Sequence, residues 1–152
     1  MSATDRQLLT VENLIVELQT ALGPIRPVDS VSLTLERGKT LALVGESGSG
    51  KSMLCRAILG LVPSKGTILF NGHDTGKLSA QELNRLRGRE IGVVLQDPLS
   101  SLNPVMTIAY QIIEPMRYHL GICSREGKEL ALALLRDVGI ARPEERLACY
   151  PH

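Results

Sequence analysis

The segment "LALVGESGSGKSMLCRAILG", residues 41 to 60, restricts the possible folds of this chain more than any other stretch. An apolar run, Leu41 to Val44, breaks into three glycines, Gly45, Gly48 and Gly50, meets Lys51, and resumes with helical apolar spacing as far as Leu61. This order predicts a buried strand, a glycine-rich turn and a helix. Such a turn presents unpaired backbone N–H groups at a helix N-terminus, where the helix dipole favours an anion. Glycine lets the backbone wrap that anion where a Cβ would collide.

The same residues satisfy the spacing G-x-x-x-x-G-K-S/T in full, with Gly45, Gly50, Lys51 and Ser52 in register. In that arrangement the backbone N–H groups of Gly48 to Ser52 cradle phosphates, Lys51 reaches the β and γ phosphates, and the Ser52 hydroxyl binds Mg²⁺. The sequence therefore predicts a nucleoside triphosphate site made of Gly45, Glu46, Ser47, Gly48, Ser49, Gly50, Lys51 and Ser52.

The rest of the composition narrows the setting. At 152 residues, 43% hydrophobic and 22% charged, the chain has the length and balance of a single globular domain. A net charge of +1 gives no reason to expect a polyanion, and Arg85, Arg87 and Arg89 read as a solvated helix end, so nucleic acid is not an expected partner. The N-terminus lacks the basic and apolar regions of a secretory signal, and the longest apolar run, Leu130 to Leu135, is far short of a membrane span. Cys55, Cys123 and Cys149 lie far apart with no C-x-x-C spacing, which predicts reduced thiols in a cytoplasm. His73, His119 and His152 read as exposed polar residues.

Along the chain, Leu14, Val16 and Leu18 fall on one side of a strand. A turn is expected at Gly23 to Pro27, and Val31, Leu33 and Leu35 then share one side again. These predict an antiparallel β-layer, which the short strand between Gly66 and Gly72 is expected to join. Ser79 and Glu82 match a capping box for a helix through about Arg87, followed by a buried strand at "IGVVL", residues 91 to 95. "QDPLSSLNP", residues 96 to 104, is a loop, and helices follow. One is capped by Thr107 and kinked at Pro115, one is capped by Ser124 and ended by Gly139, and a short one begins near Pro143. The expected division is a β-layer and P-loop core over about 1–96 and a helical subdomain over about 97–152.

"GESGSGKS" at 45 to 52, "LQDPLSSLNP" at 95 to 104 and the terminal "RLACYPH" together resemble the ATP-binding subunits of ABC importers, in particular the oligopeptide, dipeptide and nickel permease group. The resemblance implies an α/β fold: a P-loop NTPase core of ABC type with an N-terminal antiparallel β-layer and a helical subdomain, truncated before the signature motif. It implies that Gln96 is the Q-loop glutamine, contacting Mg²⁺ and the γ-phosphate region and acting as a hinge. ATP and Mg²⁺ are the implied cofactors. Implied partners are transmembrane permease subunits, a second ATP-binding subunit and, indirectly, a solute-binding protein, at the cytoplasmic face of the membrane.

Two departures from that family's pattern stand out. No Phe, Tyr or Trp precedes Phe70, so the aromatic that would stack on adenine is missing; Leu22 aligns best there, with Ile25 and Arg26 as other candidates. The LSGGQ signature and the acidic strand after "YPH" are also missing. Two stretches imitate the missing acidic strand, one ending in Asp137 and one in Asp97, but the spacing of Leu130, Leu134 and Val138 around Asp137 is helical and Gln96 occupies the strand end before Asp97. These 152 residues alone are therefore expected to be inactive in hydrolysis. The alternatives are a small P-loop kinase, or a non-catalytic nucleotide-binding fragment.

Overall fold

The computed structural model of the chain describes residues 6–97 and 101–152. Two compact units divide it, Met1–Asn84 and Arg85–His152. In the first, strands β1 (Gln7–Thr20) and β2 (Gly23–Glu36) form a long antiparallel hairpin. The expected turn at Gly23 to Pro27 is displaced, because the connection is only Ala21 and Leu22, with Thr20 paired to Gly23. Gly23 supplies a positive φ of 112° there, and the Thr20 hydroxyl donates to the Gly23 carbonyl at 2.7 Å. Pro24 and Pro27 consequently lie inside β2. They are tolerated because β2 is the edge of a sheet ordered β2, β1, β3, β4, and an edge strand can leave ring nitrogens facing solvent.

Strand β3 (Lys65–Phe70) pairs with the other side of β1, and β4 (His73–Asp74) follows it, so the short glycine-bounded strand does join the β-layer. Leu14 and Val16 are fully buried, and Leu18 packs against them. Val11 reaches the same face although its parity differs, because the register shifts between Val11 and Leu14 around Asn13, which holds a φ of 49°. Helix α1 (Lys51–Ile58) lays Leu54 and Ala57 onto this face with Val28 and Ile68. Each fully buried aliphatic side chain contributes about 1.5 to 3 kcal/mol, so this cluster is the principal source of stability in the first unit.

Two predicted strands are corrected. Leu41 to Val44 form none, and Val44 is 93% exposed. Of residues 91 to 95 only Ile91 makes a bridge, to Arg87, and Val94 is 95% exposed. A strand exists by pairing, and the four-stranded sheet supplies no ladder to either segment. Their apolar runs record what they are suited to bury against.

Helix α2 (Ala80–Arg89) begins with the predicted capping box: Glu82 Oε2 accepts from the Ser79 N–H at 2.8 Å and its hydroxyl at 2.6 Å, while Ser79 Oγ accepts from the Glu82 N–H at 3.3 Å. Regular helix stops before Arg87, and Gly88 takes a φ of 83°. Ser79→Ala removes the two hydrogen bonds made by the hydroxyl, leaves the Ser79 N–H bonded to Glu82, and is expected to cost about 1 kcal/mol. Hydrogen exchange at the first-turn amides of α2 would then accelerate several-fold; unchanged exchange would contradict the capping role.

In the second unit, α3 (Ile108–Leu120) is capped as expected, Thr107 Oγ1 accepting from the Tyr110 N–H at 3.3 Å, and Pro115 lies within it. Helix α4 (Ser124–Asp137) corrects one assignment: Ser124 is its first helical residue, Cys123 occupies the cap, and no side chain caps it. Gly139 follows at a φ of 76°. Helix α5 (Pro143–Ala148) starts on proline as predicted. Gly127 lets α4 approach α3, since a Cβ there would lie 2.7 Å from Ile113 Cγ2. Among the described residues of this unit, Ala131 and Leu147 are the buried apolar ones. At the start of α5 a backbone hydrogen bond holds the Glu144 carboxyl below the usual carboxylate range, and the Arg136 guanidinium paired with it acts in the same direction. His119 is not the exposed residue expected: it is half-buried, its ring is edge-on to Tyr118 at 4.8 Å, and its buried Nδ1 has no hydrogen-bond partner among the described residues.

Candidate phosphate-binding site

Gly50 caps α1 in a left-handed conformation, φ 89° and ψ −1°, and its carbonyl accepts the first helical hydrogen bond from Leu54 at 2.8 Å. No side chain caps this helix and its first turn carries no acidic residue. Its N-terminus therefore keeps both its dipole and its free donors for an external anion.

One of the three glycines, Gly50, is required by contact with backbone. A Cβ on Gly50 would lie 1.9 Å from the Pro27 carbonyl oxygen, so the loop rests directly on the backbone of β2. A Cβ on Gly45 would lie 2.9 Å from Ser49 Oγ. Gly48 has open space around it, and only its φ of 82° calls for glycine.

Lys51 folds back over the loop. Its ammonium donates to the Gly45 carbonyl at 2.7 Å, the Glu46 carbonyl at 2.6 Å and Ser49 Oγ at 3.1 Å. A turn bond from the Ser49 N–H to the Glu46 carbonyl, 3.3 Å, closes the same ring of backbone. All three acceptors are neutral, and Lys51 makes no ion pair among the described residues, so its charge stays available to an anion at the loop. Ser52, in the first turn of α1, is exposed.

Residues 45–52 are thus gathered in one loop and helix start, as the motif predicts. Gln96 lies on an exposed bend of the second unit, following an exposed segment without regular structure where a buried strand was expected. Part of the loop after it, residues 98–100, lies outside the described residues. Leu22 is fully exposed at the hairpin tip, Ile25 is half exposed on β2, and Arg26 pairs with Glu17 at 3.2 Å. Among the described residues no group of three His, Cys, Asp or Glu is placed to hold a metal ion.

Sequence reasoning missed Pro27 and the hydroxyl role of Ser49. Pro27 lies on no motif, and the one signal for it is the demand for glycine at position 50. The Ser49 hydroxyl was included only for its backbone.

Comparison with known proteins follows the same lines. A family model described as ABC transporter matches residues 28–149. The chain is 42% identical over 152 residues to the oligopeptide transport ATP-binding protein OppD of Bacillus subtilis strain 168, covering 96% of this chain and 42% of that protein. It is 39% identical over 150 residues to the dipeptide transport ATP-binding protein DppD of Escherichia coli strain K12, covering 95% and 46%. It thus spans under half the length of these curated relatives. A dimeric ATP-binding cassette solved in a post-hydrolysis state with ADP and Pi matches with a TM-score of 0.81 at 23% identity, over 94% of this chain and 61% of that one. A second dimeric cassette structure gives 0.79. The fold is that of an ATP-binding cassette, α/β with an antiparallel β-layer.

Proposed function

Because the chain belongs to the ABC transporter family, we propose that residues 45–52 bind the phosphates of ATP within a subunit that energises import of peptides or a related small solute. The observation that carries this reading is the Lys51 ammonium, held by three neutral oxygens over a glycine cradle at an acid-free helix N-terminus. Backbone N–H groups of Gly48 to Ser52 would bind phosphate oxygens, with Lys51 drawn toward the β and γ phosphates. The Ser52 hydroxyl, a hard oxygen donor, fits Mg²⁺; the ion, when bound, offsets phosphate charge, and a Mg²⁺ contact for Gln96 is proposed on the family resemblance alone. Gln96 would also serve as the hinge between a core of about residues 1–96 and a helical subdomain of about 97–152.

The names of the relatives support the choice of solute, and the dimeric cassettes support a second ATP-binding subunit as partner. Transmembrane permease subunits and, indirectly, a solute-binding protein complete the proposed assembly at the cytoplasmic face of the membrane. Among the described residues no helix is long and apolar enough to cross a bilayer, in keeping with peripheral attachment.

Calorimetric titration with Mg²⁺ and ATP tests the reading. Saturable binding is expected that weakens when adenosine replaces ATP; equal affinity for the two would overturn a phosphate site. These 152 residues contain neither an LSGGQ signature nor an acidic strand to hold the metal and orient water, so binding without turnover is the finer proposal for them alone. Phosphate release from the purified chain should stay at background. Steady release abolished by Lys51→Ala would refute that.

A further inference from the structure

We propose that the Ser49 side chain is a positioning residue for Lys51, an inference that rests on the nucleotide reading above and gives the loop a specific internal support. An ammonium group has three N–H donors, and Lys51 spends two on the carbonyls of Gly45 and Glu46, which any residue types would supply. The third goes to Ser49 Oγ at 3.1 Å and depends on the identity of that side chain. Lysine is a flexible stem with a point charge, so each acceptor removed widens the arc its ammonium samples. A Cβ on Gly45 would lie 2.9 Å from Ser49 Oγ, so a side chain at 45 would press on the hydroxyl in this position. Gly45 leaves room for the hydroxyl, the hydroxyl holds the ammonium, and the ammonium closes the loop on its own carbonyls. Ser49 is exposed and outside the apolar core, so its substitution changes this arrangement without opening a cavity.

The test is a double-mutant cycle on the whole chain, with Mg²⁺ and ATP as the probe. Ser49→Ala is expected to weaken ATP binding about three- to tenfold with an unchanged melting temperature. Ser49→Thr, which keeps the hydroxyl, should retain most of the affinity. In the Lys51→Ala background Ser49→Ala should have no further effect, because the group it positions is gone. Additive losses in that background, or a Thr variant as weak as the Ala variant, would overturn the inference. A second measurement separates it from the functional reading. The NMR cross-peak of the Lys51 ε-methylene in nucleotide-free protein should move with Ser49→Ala and hardly with Ser49→Thr, and an unmoved peak would refute positioning. If the parent chain binds no ATP, the functional reading fails while the cross-peak still decides the role of Ser49.

Discussion

Gly50→Ala is expected to lower the thermal stability of the chain and abolish phosphate binding at the loop together. Two costs combine. At a φ of 89° an L-residue is disfavoured by about 1 to 2 kcal/mol, and the added methyl would stand 1.9 Å from the Pro27 carbonyl oxygen. Backbone oxygen cannot swing aside as a side chain can, so the loop or β2 must shift, an overpacking penalty of about 1 to 3 kcal/mol. Their sum, about 2 to 5 kcal/mol, is a large share of the 5 to 15 kcal/mol that holds an ordinary domain together. Gly48→Ala provides the control, since its Cβ meets nothing within 4 Å and only its φ of 82° opposes the change. Thermal melts should rank parent, Gly48→Ala and Gly50→Ala in falling order. Equal melting temperatures for the two variants would show that the Pro27 contact carries no energy.

Lys51→Ala should weaken ATP binding tenfold to a hundredfold. A charge-assisted hydrogen bond of about 1.5 to 3 kcal/mol to phosphate is lost, which converts to that range. The variant also frees the Gly45 and Glu46 carbonyls and Ser49 Oγ, but these are exposed and water can satisfy them, so the melting temperature should move little. The separation is diagnostic: affinity falls while stability holds. Calorimetry giving equal affinity for parent and variant would contradict the assignment of Lys51.

What was legible in the sequence was local. The glycine spacing at 45, 48 and 50, the Ser79 and Glu82 pair, the Thr107 cap and Pro143 each act within a few residues of themselves, and each appears in place. The hairpin strands were legible from alternation, but their turn was not, because Pro24 and Pro27 read as turn residues until the edge position of β2 is known. The runs at 41–44 and 91–95 misled for a related reason: a continuous apolar stretch describes a strand buried on both faces, and pairing belongs to other segments. At the site, backbone donors and Lys51 followed from the motif, whereas the Pro27 carbonyl under Gly50 is set by tertiary approach and leaves no mark of its own.

The prolines of β2 have one more consequence. Self-association through sheets proceeds by one molecule zipping its backbone onto the open margin of another, and the margin at β2 lacks the donors that Pro24 and Pro27 would otherwise contribute. The stretch of β2 around these prolines is therefore an unfavourable place for copies of this chain to pair. Leu41, Leu43 and Val44, and Val93 to Leu95, are exposed apolar residues that belong to no strand of the sheet. A lysine or proline placed among those residues is where an engineer seeking a well-behaved preparation would begin, while the hairpin already carries its own stop.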